Sequence, residues 1–165
     1  MTKQIQFVAA AVLTAGLLSL AQNAFADAAT ATQTVTYEVQ AIDLITVSGP
    51  ASLTVSSATA GAAPNVATDA TTSYAVTINE SAPHKITGAI NSDMPGGLTL
   101  SVTLAAPTGA TSLGKQALST AAVDLVTGIA LLNESGKTIT YELAATSAAG
   151  VVPSATKTVT LTITD

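Results

Sequence analysis

Lys137-Thr138-Ile139-Thr140-Tyr141-Glu142-Leu143 and Lys157-Thr158-Val159-Thr160-Leu161-Thr162-Ile163 spell one phrase twice, and Gln33-Thr34-Val35-Thr36-Tyr37-Glu38-Val39 spells it a third time. Each copy alternates Thr or Glu with Val, Ile, Leu or Tyr. Successive side chains of a β-strand point to opposite faces, so this spelling gives one apolar face and one hydroxyl-rich face. Leu98 to Leu104 repeats the pattern, with Leu98, Leu100, Val102 and Leu104 in phase.

Working outward, the stretches between these runs are rich in Gly, Pro, Ser, Thr and Asn. Ser48-Gly49-Pro50, Asp93-Met94-Pro95-Gly96-Gly97 and Asn133-Glu134-Ser135-Gly136 read as turns, and 56–72 reads as a loop. Ser52 to Val55 and Gln116 to Leu118 read as short strands, as do Val123 to Thr127 and Ile129 to Leu132. Ser73 to Asn79 and Lys85 to Asn91 read as a hairpin, with Tyr74, Val76 and Ile78 opposite Ile86, Gly88 and Ile90 across a turn at Pro83. No stretch after residue 26 has a helical period. Short alternating strands between Gly/Pro turns predict an all-β fold, an Ig-like or fimbrial-type β-sandwich of about eight to ten strands. The first strand is expected over Thr32 to Ile42, broken at Asp43 and resuming over Leu44 to Val47.

The chain opens with Lys3, an apolar run from Phe7 to Leu20 and Ala24-Phe25-Ala26. A basic start, a short apolar stretch and a small-x-small site make an export signal. The run is too short to span a membrane as a helix. Cleavage after Ala26 is expected, leaving residues 27–165 as a single domain.

That mature segment has four lysines, no arginine and ten acids, a net charge of −6. Such a surface cannot neutralise a phosphate backbone or an anionic bilayer, so neither nucleic acid nor a membrane surface is an expected partner. Cysteine is absent, so stability must come from packing or assembly rather than disulfides.

The chemistry-bearing residues are sparse. His84, the one histidine, follows Pro83 and reads as a solvated turn residue with no catalytic or metal role. Gly136-Lys137-Thr138 resembles the tail of a phosphate-binding loop, but Leu131 stands where the leading glycine is required, and a strand follows instead of a helix. Asn91 and Asp93 offer oxygens to a hard cation, yet no Asp-x-Asp-x-Asp-Gly loop surrounds them, and both residue types form turns unaided. Asn79-Glu80-Ser81 and Asn133-Glu134-Ser135 match the N-glycosylation pattern, which occurs by chance and is not expected to be used in a bacterial chain. The threonine ladder Thr158, Thr160, Thr162, Thr164 could suggest an ice-binding face, but threonine suits any wet strand. No catalytic, cofactor or metal residues are assigned, an enzyme is not expected, and a small-molecule ligand is unlooked for.

The stretches Thr32 to Val47 and Thr156 to Asp165 resemble short secreted bacterial β-proteins that carry no settled function. The chain is also similar to fimbrial and biofilm-fibre subunits that polymerise by donating a strand, although it lacks the cysteine pair of chaperone–usher pilins and an aromatic residue near residue 165. The resemblance implies a secreted or cell-surface structural subunit whose partner is itself. The expected polymerisation strand is Thr34, Val35, Thr36, Tyr37, Glu38 and Val39. Only Glu38 is charged between Thr32 and Ile42, and proline is absent there, so little discourages pairing with another chain. The alternative is a monomeric Ig-like binding or adhesion module, which would ordinarily show aromatic or arginine anchors.

Overall fold

The computed structural model describes residues 29–165. The expected export signal, residues 1–26, and its cleavage point lie outside the described residues. The chain divides into two units, residues 1–37 and 38–165. The described part of the first, residues 29–37, contains no strand.

The second unit is all-β: two antiparallel sheets packed as a sandwich. The first sheet contains β1 (Asp43–Val47), β2 (Ala67–Ile78), β4 (Leu98–Leu104), β6 (Gln116–Ala117) and β8 (Leu132–Ala145), in the order β1-β2-β8-β4-β6. The second contains β3 (His84–Ile90), β5 (Thr111–Ser112), β7 (Val123–Ile129) and β9 (Val159–Thr164), in the order β5-β7-β3-β9. A 3-10 turn, Ser147–Ala149, follows β8. Among the described residues no helix is long and apolar enough to cross a membrane.

Alternation builds the core as the sequence predicts. Tyr74, Val76 and Ile78 of β2, Leu100, Val102 and Leu104 of β4, and Ile139 of β8 point inward from the first sheet. Ile86 and Ile90 of β3 meet them from the second, with Leu125, Val126 and Ile129 of β7. The Tyr74 hydroxyl donates to the Ala105 carbonyl at 2.6 Å, and burial pushes this phenol up to about 12.

The predicted hairpin is wrong in an instructive way. β2 pairs with β1 and β8, while β3 pairs with β7 and β9. The connection through Pro83 therefore crosses from one sheet to the other. Tyr74, Val76 and Ile78 share a core with Ile86 and Ile90 instead of lying beside them in a ladder. Other boundaries also move. Asp43 opens β1 rather than breaking a strand, no strand forms over residues 52–55, and residues 67–72 belong to β2 rather than to a loop. A strand across residues 129–132 gives way to the junction where β7 ends and β8 begins.

Asn133 to Gly136, expected as a turn, lies inside β8. Tyr74 pairs with Lys137 and Val76 with Glu134, so Ser135 and Gly136 form a bulge. Gly136 has φ +69°, the left-handed conformation that such a bulge needs and that glycine adopts without steric cost. A second bulge interrupts β2 between Asp69 and Thr72. Asp69 stabilises it by accepting from the Thr71 hydroxyl at 2.6 Å and the Thr71 amide at 2.8 Å. Its other oxygen accepts the Ser52 amide at 2.7 Å, and these bonds, the Thr71 hydroxyl first, hold the carboxyl below its usual range.

Glu134, beside the first bulge, is ion-paired with Lys137 and accepts the Thr108 amide at 2.9 Å. These partners, led by Lys137, lower its carboxyl to about 2, from an ordinary 4.5. A depressed folded-state value means that the stabilisation is complete above the unfolded value and disappears as pH falls through the folded one. Stability should therefore decline between about 4.5 and about 2, with Asp69 acting in the same direction. Denaturant midpoints measured across that window should fall less steeply for Glu134→Gln; identical slopes would mean that the pairing contributes nothing.

Candidate functional site

The expected polymerisation strand, Thr34, Val35, Thr36, Tyr37, Glu38 and Val39, takes part in no ladder, and all six residues are exposed. Its three apolar side chains are bare: Val35 is 73% exposed, Tyr37 90% and Val39 80%. The strand predicted over Thr32 to Ile42 is thus absent, because strand spelling alone provides no neighbour to hydrogen-bond. Pairing begins only at Asp43.

Within the second unit, the residues leading into β1 are held by Asn79. Its side-chain oxygen accepts the Ile42 amide at 2.8 Å, and its side-chain nitrogen donates to the Gln40 carbonyl at 2.7 Å. The Asn79 backbone amide donates to the Ile42 carbonyl at 3.3 Å. Asn79 thus serves as a backbone clamp, the role its chemistry favours in a connection.

The sandwich has four edges. β5 and β6 are two-residue edges, too short to template much pairing. β1 and β9 are the longer edges and pack against each other. β9 reads Val-Thr-Leu-Thr-Ile-Thr, with neither a charge nor a proline. Near its start, a groove of about 380 Å³ is lined by Leu100, Ile139 and Tyr141 from the first sheet, by Val159 from the second, and by Leu53 and Met94 from connections. The Thr72 hydroxyl also lines this groove, buried and without a hydrogen-bond partner. A second hollow of about 840 Å³ shares Leu53, Met94 and Leu143 with it and continues past Leu98 and Val152.

His84 is not the solvated turn residue that the sequence suggests. It opens β3, and its side chain is 2% exposed. The signal was present in the parity: His84, Ile86, Gly88 and Ile90 are in phase, and all four are buried. Its Nδ1 lies 2.8 Å from the Ala82 carbonyl. Its Nε2 lies 3.3 Å from an Asp165 carboxylate oxygen and 3.6 Å from one of Asp43, with Glu80 also nearby. The Ala82 carbonyl raises the imidazole's pKa most, burial opposes it, and Asp43, Asp165 and Glu80 add to the rise.

The remaining sequence motifs are used by the fold itself. Asn91 Oδ1 accepts the Thr158 amide at 3.1 Å, and Asp93 Oδ1 accepts the Thr120 amide at 3.2 Å, so each bonds backbone in a separate place. Gly136-Lys137-Thr138 lies within β8 at the bulge. Comparison of the chain with protein-family models, curated proteins and solved structures gives no match.

Proposed function

We propose that residues 27–165, freed of an export signal, form a secreted structural subunit of an extracellular filament, pilus-like fibre or biofilm matrix. The sandwich is read as Ig-like or fimbrial in type. Subunits join by β-strand addition, with the Thr34–Val39 stretch of one copy as donor. The observation that carries this reading is a strand-spelled segment that takes part in no ladder, with Val35, Tyr37 and Val39 exposed. An uncharged, proline-free edge at β9 and an apolar groove beside Val159 support it as the acceptor. Backbone bonds to that edge would supply affinity, and alternate side chains entering the groove would set register. Because donor and acceptor are different segments of the chain, the contact is head-to-tail and propagates instead of closing.

Deletion of residues 27–39 leaves the Asn79 bond to Gln40 intact and tests the reading. The variant should remain a folded monomer by circular dichroism and sedimentation while the parent forms fibres visible by negative-stain microscopy. A peptide of residues 27–42 should bind to the truncated subunit, and Thr162→Lys, which places a charge on the β9 edge, should abolish that binding. A parent that stays monomeric at high concentration, or a deletion that polymerises as before, refutes donor-strand assembly and favours the monomeric adhesion module.

A further inference from the structure

We propose that Asp43, Glu80 and His84, with Asp165 beside them, bind one divalent transition-metal cation, zinc above all, which fastens the two sheets together at this end of the sandwich. The inference is independent of the assembly reading.

One donor atom from each of Asp43, Glu80 and His84 lies within 4.8 Å of the others. His84 is buried, and its Nε2 makes no hydrogen bond. Two carboxylate oxygens lie close to that nitrogen, Asp165 Oδ1 at 3.3 Å and Asp43 Oδ2 at 3.6 Å. Nδ1 lies 2.8 Å from the Ala82 carbonyl, which can only accept, so Nδ1 carries the proton. In the neutral ring, Nε2 then presents a lone pair to oxygens that also present lone pairs. A cation placed among them converts this repulsion into coordination. An Nδ1–H bond to a backbone carbonyl is also the usual companion of a metal-bound imidazole, since it fixes the tautomer and the ring orientation.

The charge balance points the same way. Among the described residues no lysine forms an ion pair with Asp43, Glu80 or Asp165; the lysine pairs are with Asp124, Glu134 and Glu142. Three carboxylates around one neutral imidazole therefore have no fixed positive partner. One nitrogen and a few carboxylate oxygens suit zinc, which binds such donors at about 2.0–2.2 Å in a four-coordinate shell. Calcium and magnesium take six or more oxygens and have little use for the imidazole.

The donors come from separate parts of the fold. Asp43 begins β1 in the first sheet, and His84 begins β3 in the second. Glu80 lies in the connection between β2 and β3, and Asp165 follows β9. Asn79 bonds Ile42 through both side chain and backbone. Asp43 pairs with Ile78, so Glu80 lies two residues beyond Asp43's partner on the same strand path before any ion arrives. Such a site is structural: its ion ties the first sheet to the second through donors from β1 and β3.

Zinc chloride titrated into chelator-treated, full-length mature protein tests the proposal. Zinc should bind with one-to-one stoichiometry and raise the melting temperature by roughly 5–10 °C at a hundredfold excess over its dissociation constant. Calcium and magnesium at the same concentration should not. Because the chain has one histidine, its ring nitrogens give an unambiguous magnetic-resonance signal. Nε2 should shift on zinc addition while Nδ1 keeps its proton. The double variant Asp43→Asn with Glu80→Gln should lose the thermal shift. Absence of binding, binding that leaves the histidine signal unmoved, or a double variant that binds like the parent would overturn the proposal, leaving His84 as the protonated member of an ion-paired cluster.

Discussion

Leu125→Ala should lower unfolding stability by about 2–5 kcal/mol, the range for deleting most of a fully buried aliphatic side chain. Leu125 has no exposed surface, and β7 is bulged where it lies: Ile86 pairs with Val126 but Thr87 with Asp124. The bulge turns two successive residues, Leu125 and Val126, into the core. Leu125 also fills the space that a side chain at position 88 would occupy, since a Cβ on Gly88 would stand 2.7 Å from Leu125 Cδ1. Removing the leucine therefore opens a void opposite Gly88, which has no side chain to fill it. A whole domain is stabilised by only about 5–15 kcal/mol, so the variant should unfold at a much lower urea midpoint with an unchanged slope. Leu131→Ala serves as the comparison, because Leu131 is 66% exposed and its loss should change little. Equal midpoints for the two variants would mean that the core does not close around Leu125.

Gly97→Ala should be the more damaging of two glycine substitutions that look alike in sequence. Gly97 and Gly109 have nearly the same backbone angle, φ +81° and +80°, in the left-handed region where a Cβ costs about 1–2 kcal/mol. At Gly109 nothing lies within 4 Å of the added atom, so that cost is the whole effect. At Gly97 the Cβ would stand 2.7 Å from the Ala149 amide nitrogen and 2.9 Å from its Cα. These are backbone atoms of the 3-10 turn and cannot rotate aside. The Gly97 carbonyl also accepts the Thr146 amide at 2.8 Å, so any retreat of the turn breaks a bond that ties β4 to the end of β8. Gly97→Ala should exceed Gly109→Ala by at least about 1 kcal/mol, the lower range of overpacking costs. Thermal melts of the pair would decide it, and equal losses would show that the turn yields freely.

What was legible in the sequence, and what was not, follows from the range over which each physical signal acts. Alternation depends on neighbouring residues, so it placed Leu98 to Leu104, Lys137 to Leu143 and Lys157 to Ile163 in or beside true strands and gave the inward set correctly. Which strand lies beside which is settled by distant partners, so two runs joined through Pro83 read as a hairpin although they belong to opposite sheets. Asn-Glu-Ser-Gly supplies the same left-handed glycine to a turn and to a bulge, and nothing local tells the two apart at Gly136. The proline before His84 signals a turn, whereas the phase of His84 with Ile86 signals burial, and the second signal is the one the fold obeys. The carboxylates around it come from residues 43, 80 and 165 and share no spacing that a motif could capture. The stretch Thr34 to Val39 has a strand's spelling without a strand's partner, and only the structure separates those two properties.

The strand order carries a further consequence, for how the molecule acquires its shape. Among the described residues the only sequential neighbours that pair are β1 and β2, and residues 48–66 separate them. The longer ladders join strands made far apart, as when Ala67 meets Leu143 or Lys85 meets Thr164. The two-residue strands β6 and β5 pair closer in sequence, Ala117 with Ser101 and Thr111 with Thr127. The central place in the first sheet is taken by β8, so β2 and β4 have no common partner until residues 132–145 have been synthesised. β3 can pair with β7 on one side, but its other side waits for residues 159–164. High contact order of this kind slows folding to about the millisecond-to-second range. A nascent chain emerging residue by residue thus passes most of its synthesis unable to close either sheet, and collapse into the native sandwich is deferred until nearly all of it is free.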